Sequence, residues 1–170
     1  SKPARNTVKK RTGMENPFAN HMLPDSPIVG PVLFVDGGTN FLGYSVYTYT
    51  PGMGLSDSVP SDWGTLYAEG KDHTSYHALR RRALDVIDLA GSVGAATMVL
   101  ESYGFIPGKS SGIFVVPSLL AVIAALWLSV DGRNLYCVPP SEWKNAICRN
   151  PNATKDIVRE NGIVNILPAT

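Results

Sequence analysis

Two apolar runs in this chain each end in a carboxylate, and together they limit what it can fold into. Val32-Leu33-Phe34-Val35 leads into Asp36, and Ala96-Thr97-Met98-Val99-Leu100 leads into Glu101. Short runs of this kind, followed by glycine-containing loop sequence, read as buried strands. An acid at the carboxyl end of a buried strand is costly to desolvate unless it meets water, a partner or a metal. Two such strands side by side would set both acids at one edge of a sheet, where like charges repel and each raises the other's pKa. A divalent cation removes that conflict. The expectation is a metal-dependent hydrolase site of the nuclease kind, with Asp36 and Glu101 as its ligands.

The 170 residues suit one domain with a proper core. Residues 1–30 are polar, basic and proline-bearing, and read as an extension; the folded domain is expected over 31–170. The net charge of +1 excludes a polycation. The cations are nevertheless uneven. Lys2, Arg5, Lys9, Lys10 and Arg11 precede the first acid, Glu15, and Arg80, Arg81 and Arg82 form a second cluster. Such patches suit phosphate backbones, but for charge runs alone a solvated tail and a solvated helix face are the favoured reading. Cys137 and Cys148 lack metal-site spacing, and nothing marks the chain as secreted, so a reduced, cytoplasmic setting is expected. The longest greasy stretch, Ile113 to Val130, contains Pro117, Ser118 and Ser129 and fits a buried helix better than a membrane span.

Five strands and their helices follow from pattern. Residues 31–36 read as a first strand, Gly37-Gly38-Thr39-Asn40 as a turn, and 41–50 as an antiparallel second strand with Leu42, Tyr44, Val46 and Thr48 on one face. Residues 51–62 read as a loop and 65–69 as a third strand. A helix is predicted from His73 to Leu89, with Leu79, Ala83, Val86, Ile87 and Ala90 on its apolar face, ended by Gly91 and Gly94. A fourth strand spans 95–101. Because a helix intervenes, it is expected to run parallel to the first. A loop to Val116, a helix from Pro117 to about Val130, a fifth strand at 135–138 and short helices over 139–148 and 153–161 complete the chain. That order resembles a ribonuclease H-like α/β fold: a mixed five-stranded sheet flanked by helices, with strands one and four as neighbours.

Three segments sharpen the resemblance. The run from Val32 through Asp36-Gly37-Gly38-Thr39-Asn40 to Gly43-Tyr44-Ser45-Val46 resembles the first motif of RuvC-like Holliday junction resolvases. Val99-Leu100-Glu101-Ser102-Tyr103-Gly104 resembles their second motif. Val138-Pro139-Pro140-Ser141-Glu142-Trp143-Lys144 and Thr154-Lys155-Asp156-Ile157-Val158 look like a strand-and-turn segment and a helix start found in phage and bacterial members. The resemblance covers residues 31–162. It implies a Mg²⁺-dependent, structure-selective DNA endonuclease with two ions, Mn²⁺ being an alternative. It also implies a homodimer acting on branched or double-stranded DNA, with no membrane partner and, for a viral member, a host-cell cytoplasmic location. RuvC-like enzymes carry one or two further acids at the start of a final helix. No such run occurs before Thr170, and the expectation is that it follows.

By the same resemblance Asp36, Glu101 and Lys155 would be catalytic. Lys144, Lys155, Arg80, Arg81 and Arg82 would meet phosphates, and Tyr103 and Phe105 would stack on or wedge an unpaired base. Each has a plain alternative: Asp36 capping a turn, Glu101 pairing with an arginine, the lysines solvated, the aromatics packed on the sheet. His73 and His77, four apart, would share a helical face without a third metal ligand. The apolar helix around Leu119, Val122, Ile123, Leu126 and Trp127 would be core, with a dimer face on it. Two further readings remain open. One is a catalytically degenerate RuvC-like module that binds nucleic acid or serves an assembly. The other is a fragment of an actin-like-superfamily phosphotransferase, whose phosphate-binding turn Asp36-Gly37-Gly38-Thr39-Asn40 also resembles.

Overall fold

The computed structural model describes residues 28, 30–49, 60–102, 111–154 and 156–157. Five strands form one sheet: β1 (Gly30–Asp36), β2 (Phe41–Tyr49), β3 (Asp62–Tyr67), β4 (Thr97–Glu101) and β5 (Asn134–Val138). Their spatial order is β3-β2-β1-β4-β5. The β1–β2 and β2–β3 pairs are antiparallel, and β1–β4 and β4–β5 are parallel. The helices are α1 (Tyr76–Ser92), α2 (Val115–Leu128), entered through a 3₁₀ turn over Ser111–Phe114, and α3 (Pro140–Cys148). The expected mixed sheet, its neighbours and their directions are all present.

Strand register divides the sheet into two faces. Leu33 pairs with Val46 on one side and Met98 on the other, and Met98 pairs with Leu135. The next row on this face runs Tyr44, Val35, Leu100, Cys137. Both rows pack against Leu79, Ala83, Val86 and Ala90 of α1 and Leu119, Leu120, Ile123 and Trp127 of α2. The two helices thus cover one face, and that face is the core. Side chains alternate across a strand, so Asp36, one residue past Val35, and Glu101, one past Leu100, project from the opposite face.

Several boundaries differ from expectation: β4 begins at Thr97 rather than 95, and α2 spans Val115–Leu128 rather than 117–130. The third strand lies at Asp62–Tyr67 rather than 65–69, because its partner β2 sets it: Asp62 faces Val46 and Tyr67 faces Phe41, where β2 begins. Helix α1 starts at Tyr76. Ser75 is its N-cap and accepts from the Ala78 N–H, while Asp72 accepts from the backbone N–H groups of Thr74 and Ser75. The Ser75 hydroxyl also bonds to Asp72. His73 therefore precedes the helix, and the expected His73–His77 pairing on one helical face does not form. The helix also runs through Gly91 and ends at Ser92, with Val93 as its C-cap and Gly94 beyond it at φ +69°. The predicted helix over 153–161 is helical at 156–157, and 158–161 lie outside the described residues. No helix among the described residues is long and apolar enough to cross a membrane.

The turn after Asp36 is clamped on both sides. A Cβ on Gly38 would stand 2.4 Å from the Phe41 carbonyl oxygen, so only glycine fits that turn. Gly37 lies against α2, where a Cβ would meet Val116 and Leu120 at 3.1 and 3.2 Å. From α1, the buried Arg82 donates from its guanidinium to the Gly38 carbonyl at 2.6 Å and to the His73 carbonyl at 3.5 Å. Burial lowers its pKa from the usual arginine value, yet a guanidinium stays charged in proteins. The expectation that Arg82 joins a phosphate-binding surface is corrected here: it is an internal brace. On the far side of the core, Trp127 donates from Nε1 to the Asn134 carbonyl at 2.9 Å and carries Arg133 over its ring at 4.3 Å, which fastens α2 to β5.

Two predictions follow from this packing. Arg82→Met removes the charged donor to Gly38 and is expected to cost about 2 kcal/mol of unfolding free energy, measured by urea denaturation, with a parallel loss of function through the displaced Asp36. Both cysteines are free, and burial pushes the Cys137 thiol up to about 11. Native protein is therefore expected to label at Cys148 with a thiol reagent, and Cys137 only after denaturation, as read by mass spectrometry.

Candidate active site

Parallel pairing of β1 and β4 builds the site. The register runs Val32 with Thr97 through Val35 with Leu100. The next residues, Asp36 and Glu101, end their strands side by side, about 4.8 Å apart in backbone position. Across the sheet, Asp36 pairs with Gly43 of β2, and Glu101 pairs with Val138 of β5. The chain after Glu101 is tied down by the Ser102 N–H donating to the Val138 carbonyl at 3.0 Å. Asp36 is exposed and Glu101 half-buried, so neither carboxylate is shut away from solvent.

Both line one cavity of about 530 Å³, together with Phe34, Gly43, Ser45, Val99, Val138 and Glu142 among others. Gly43 and Ser45 keep the floor beside Asp36 low. Phe34 and Val99 make an apolar wall behind the acids. Glu142 is the third carboxylate of this cavity and was not among the expected site residues. It arrives because β5 ends at Val138, Pro139 turns the chain with φ −62° and ψ 144°, and Pro140 opens α3, whose first turn carries Glu142. The signal was present in the sequence as an acid three residues past Pro139, a position that the helix N-terminus favours for an anion. That place looks structural until β5 is known to lie beside β4. Among the described residues, no group of three or more His, Cys, Asp or Glu side chains is close enough to hold a metal ion. Asp36, Glu101 and Glu142 all line the same cavity.

The expected DNA-contacting residues separate. Lys144 sits on α3, half-exposed, two residues beyond Glu142. Arg80 and Arg81 are exposed on α1, which covers the sheet's other face. Arg81 lies in a depression with Glu69, Asp72, Asp85 and Asp88. Burial, with Glu69 and Asp88 nearby, raises the pKa of Asp85, and Arg81 opposes that rise. This helix surface is of mixed sign rather than a basic strip. Arg82 is buried. Lys155, Tyr103 and Phe105 lie outside the described residues, as do the cations of residues 1–27.

Comparison with known proteins places the fold. No protein-family model matches the chain, and no curated protein matches it in sequence. Solved structures do. RuvC of Thermus thermophilus superposes with a TM-score of 0.64 at 16% identity, over 82% of this chain and 83% of that one. The same organism's RuvC in complex with a Holliday junction substrate gives 0.65 at 15%, over 83% and 82%. The yeast mitochondrial Holliday junction resolvase Ydc2 gives 0.56 at 14%, over 82% and 66%. At these identities the likeness establishes architecture, and the chain is built on the RuvC-like, ribonuclease H-like sheet.

Proposed function

We propose that this protein is a divalent-metal-dependent endonuclease that cuts phosphodiester bonds in branched DNA of the Holliday junction kind. One observation carries the reading: Asp36 and Glu101, sixty-five positions apart in the chain, end adjacent parallel strands in register and line a common cavity. The fold shared with a RuvC solved on a junction substrate supports branched DNA as the target.

The donor set fits Mg²⁺, which takes oxygen ligands and is held by one or two carboxylates plus substrate phosphate and water. Asp36 and Glu101 would hold it, with Glu142 tuning the field from the α3 side. When bound, the ion supplies Lewis-acid stabilisation of the phosphoryl oxygens and a more acidic water. The chain's own residues do the rest. Strand ends hold the two carboxylates rigidly, and the Gly37-Gly38 clamp fixes where Asp36 points. The low floor at Gly43 and Ser45 leaves room for a sugar–phosphate backbone beside the acids. Lys144 and Lys155 are proposed to engage phosphates, and Tyr103 and Phe105, soon after Glu101, to pack against an unpaired base. Two symmetric cuts across a junction require a two-fold dimer.

The test is cleavage of a synthetic four-way junction and of linear duplex in Mg²⁺. Wild type is expected to cut the junction. Asp36→Asn and Glu101→Gln, which preserve shape, are each expected to lose at least about 100-fold in rate, since the ion's share of charge stabilisation is several kcal/mol. Equal rates in wild type and Asp36→Asn would overturn the assignment. Junction binding without any cutting by wild type would favour the non-cutting module instead. For Glu142→Gln, the Mg²⁺ concentration giving half-maximal cleavage is expected to rise about tenfold, with the saturated rate little changed.

A further inference from the structure

The sheet face that carries Asp36 and Glu101 continues onto its outer strands as an aromatic surface. Phe41 on β2 and Tyr67 on β3 are register partners, 54% and 72% exposed, with ring centroids 6.4 Å apart at 51°. Trp63, four residues before Tyr67 and on the same face, is 68% exposed and pairs with Ser45. Ser45 and Gly43 belong to the floor of the carboxylate cavity. The row Thr65, Gly43, Asp36 therefore leads directly from β3 to the acid. From strand spacing and rise, Tyr67 lies about 12 Å from Asp36 in backbone position. A Cβ on Gly43 would contact only the Asp36 Cβ, at 3.8 Å, so this glycine leaves an unobstructed lane between the rings and the acid.

Three large exposed aromatics on an edge strand and its neighbour are not what a free edge needs. Edges are blunted by lysine, proline or a covering element. A concentrated exposed apolar surface of this kind marks a binding face. Its chemistry is specific: rings with open faces above a floor of Gly43, Ser45 and Thr65, and no Lys or Arg at any described strand position of this face. Flat rings without neighbouring cations suit bases, which stack on aromatic side chains whatever their sequence.

We propose that Trp63, Tyr67 and Phe41 form a stacking platform for unpaired nucleobases of a strand whose backbone runs on to Asp36 and Glu101. The platform rests on the nuclease reading for its strand direction, and it defines the substrate as one with unpaired nucleotides beside the cut. It is separate from Tyr103 and Phe105, which follow β4. Its binding contribution is stacking, so it is insensitive to salt, unlike contacts that release counterions from phosphates.

The experiment measures binding of full-length Asp36→Asn protein, which does not need to cut, to fluorescent oligothymidine and to a fully paired duplex. Trp63→Leu and Tyr67→Leu are each expected to weaken oligothymidine binding about tenfold, to the same degree at low and moderate salt, and to leave duplex binding unchanged. Trp63→Phe and Tyr67→Phe are expected to retain affinity, because a ring still stacks. Oligothymidine is also expected to quench tryptophan emission in the Asp36→Asn protein but not in its Trp63→Phe variant, with circular dichroism checking that each variant is folded. Unchanged affinity in both leucine variants would overturn the platform. So would a shift from dimer to monomer in those variants with affinity intact, since the face would then belong to a second copy of the chain. Wild-type failure to cut junctions, with the leucine variants still losing oligothymidine binding, would remove the nuclease reading and leave the platform standing.

Discussion

The parallel hydrogen-bonded pairing of β1 with β4 carries the rest of the structure. Four residue pairs, from Val32 with Thr97 to Val35 with Leu100, align two strands separated by the β2–β3 hairpin and α1. On one face this alignment places Leu33 and Val35 beside Met98 and Leu100 in the core. On the other it delivers Asp36 and Glu101 to neighbouring positions. A slip of β4 by one residue would exchange its faces, turning Glu101 under α1 and α2 and Met98 and Leu100 out of the core. Hydrophobic burial thus fixes where the carboxylates stand.

The elements around Asp36 serve the same end. A turn without side chains lets α2 approach Gly37 closely and lets the chain reverse at Gly38. The guanidinium of Arg82 reaches that turn from α1, so both core helices hold the loop that follows the acid. A buried charge is expensive, and it persists where hydrogen bonds satisfy it. Arg82 has such bonds to two carbonyls. Its benefit is positional: it specifies one conformation for the segment leading away from Asp36. Rigid support of this kind is what an ion with strict octahedral geometry requires of its ligands.

Much of this was legible in the chain. The apolar runs ending in Asp36 and Glu101 gave the two strands, the Gly-Gly turn gave the hairpin, and the strand–helix–strand order gave the parallel neighbours. Periodicity located α1's buried residues, Leu79, Ala83, Val86 and Ala90. What escaped was set by tertiary partners. The limits of β3 come from its pairing with β2, and Trp63, which lies outside the expected strand, becomes a strand residue. Arg82 looks like its exposed neighbours Arg80 and Arg81 until helix phase turns it toward the core. Glu142 enters the cavity only because β5 lies next to β4, a fact of sheet order that no local pattern around Pro139 contains.

The account stands on Asp36 and Glu101 sharing one ion, and diffraction from crystals soaked in Mn²⁺, recorded for anomalous signal, addresses that most directly. The account predicts a peak between the two carboxylates, about 2.0–2.2 Å from an oxygen of each, as small octahedral cations require. An ion held by one of them alone, or a Mn²⁺-saturated crystal with no peak between them, would contradict it.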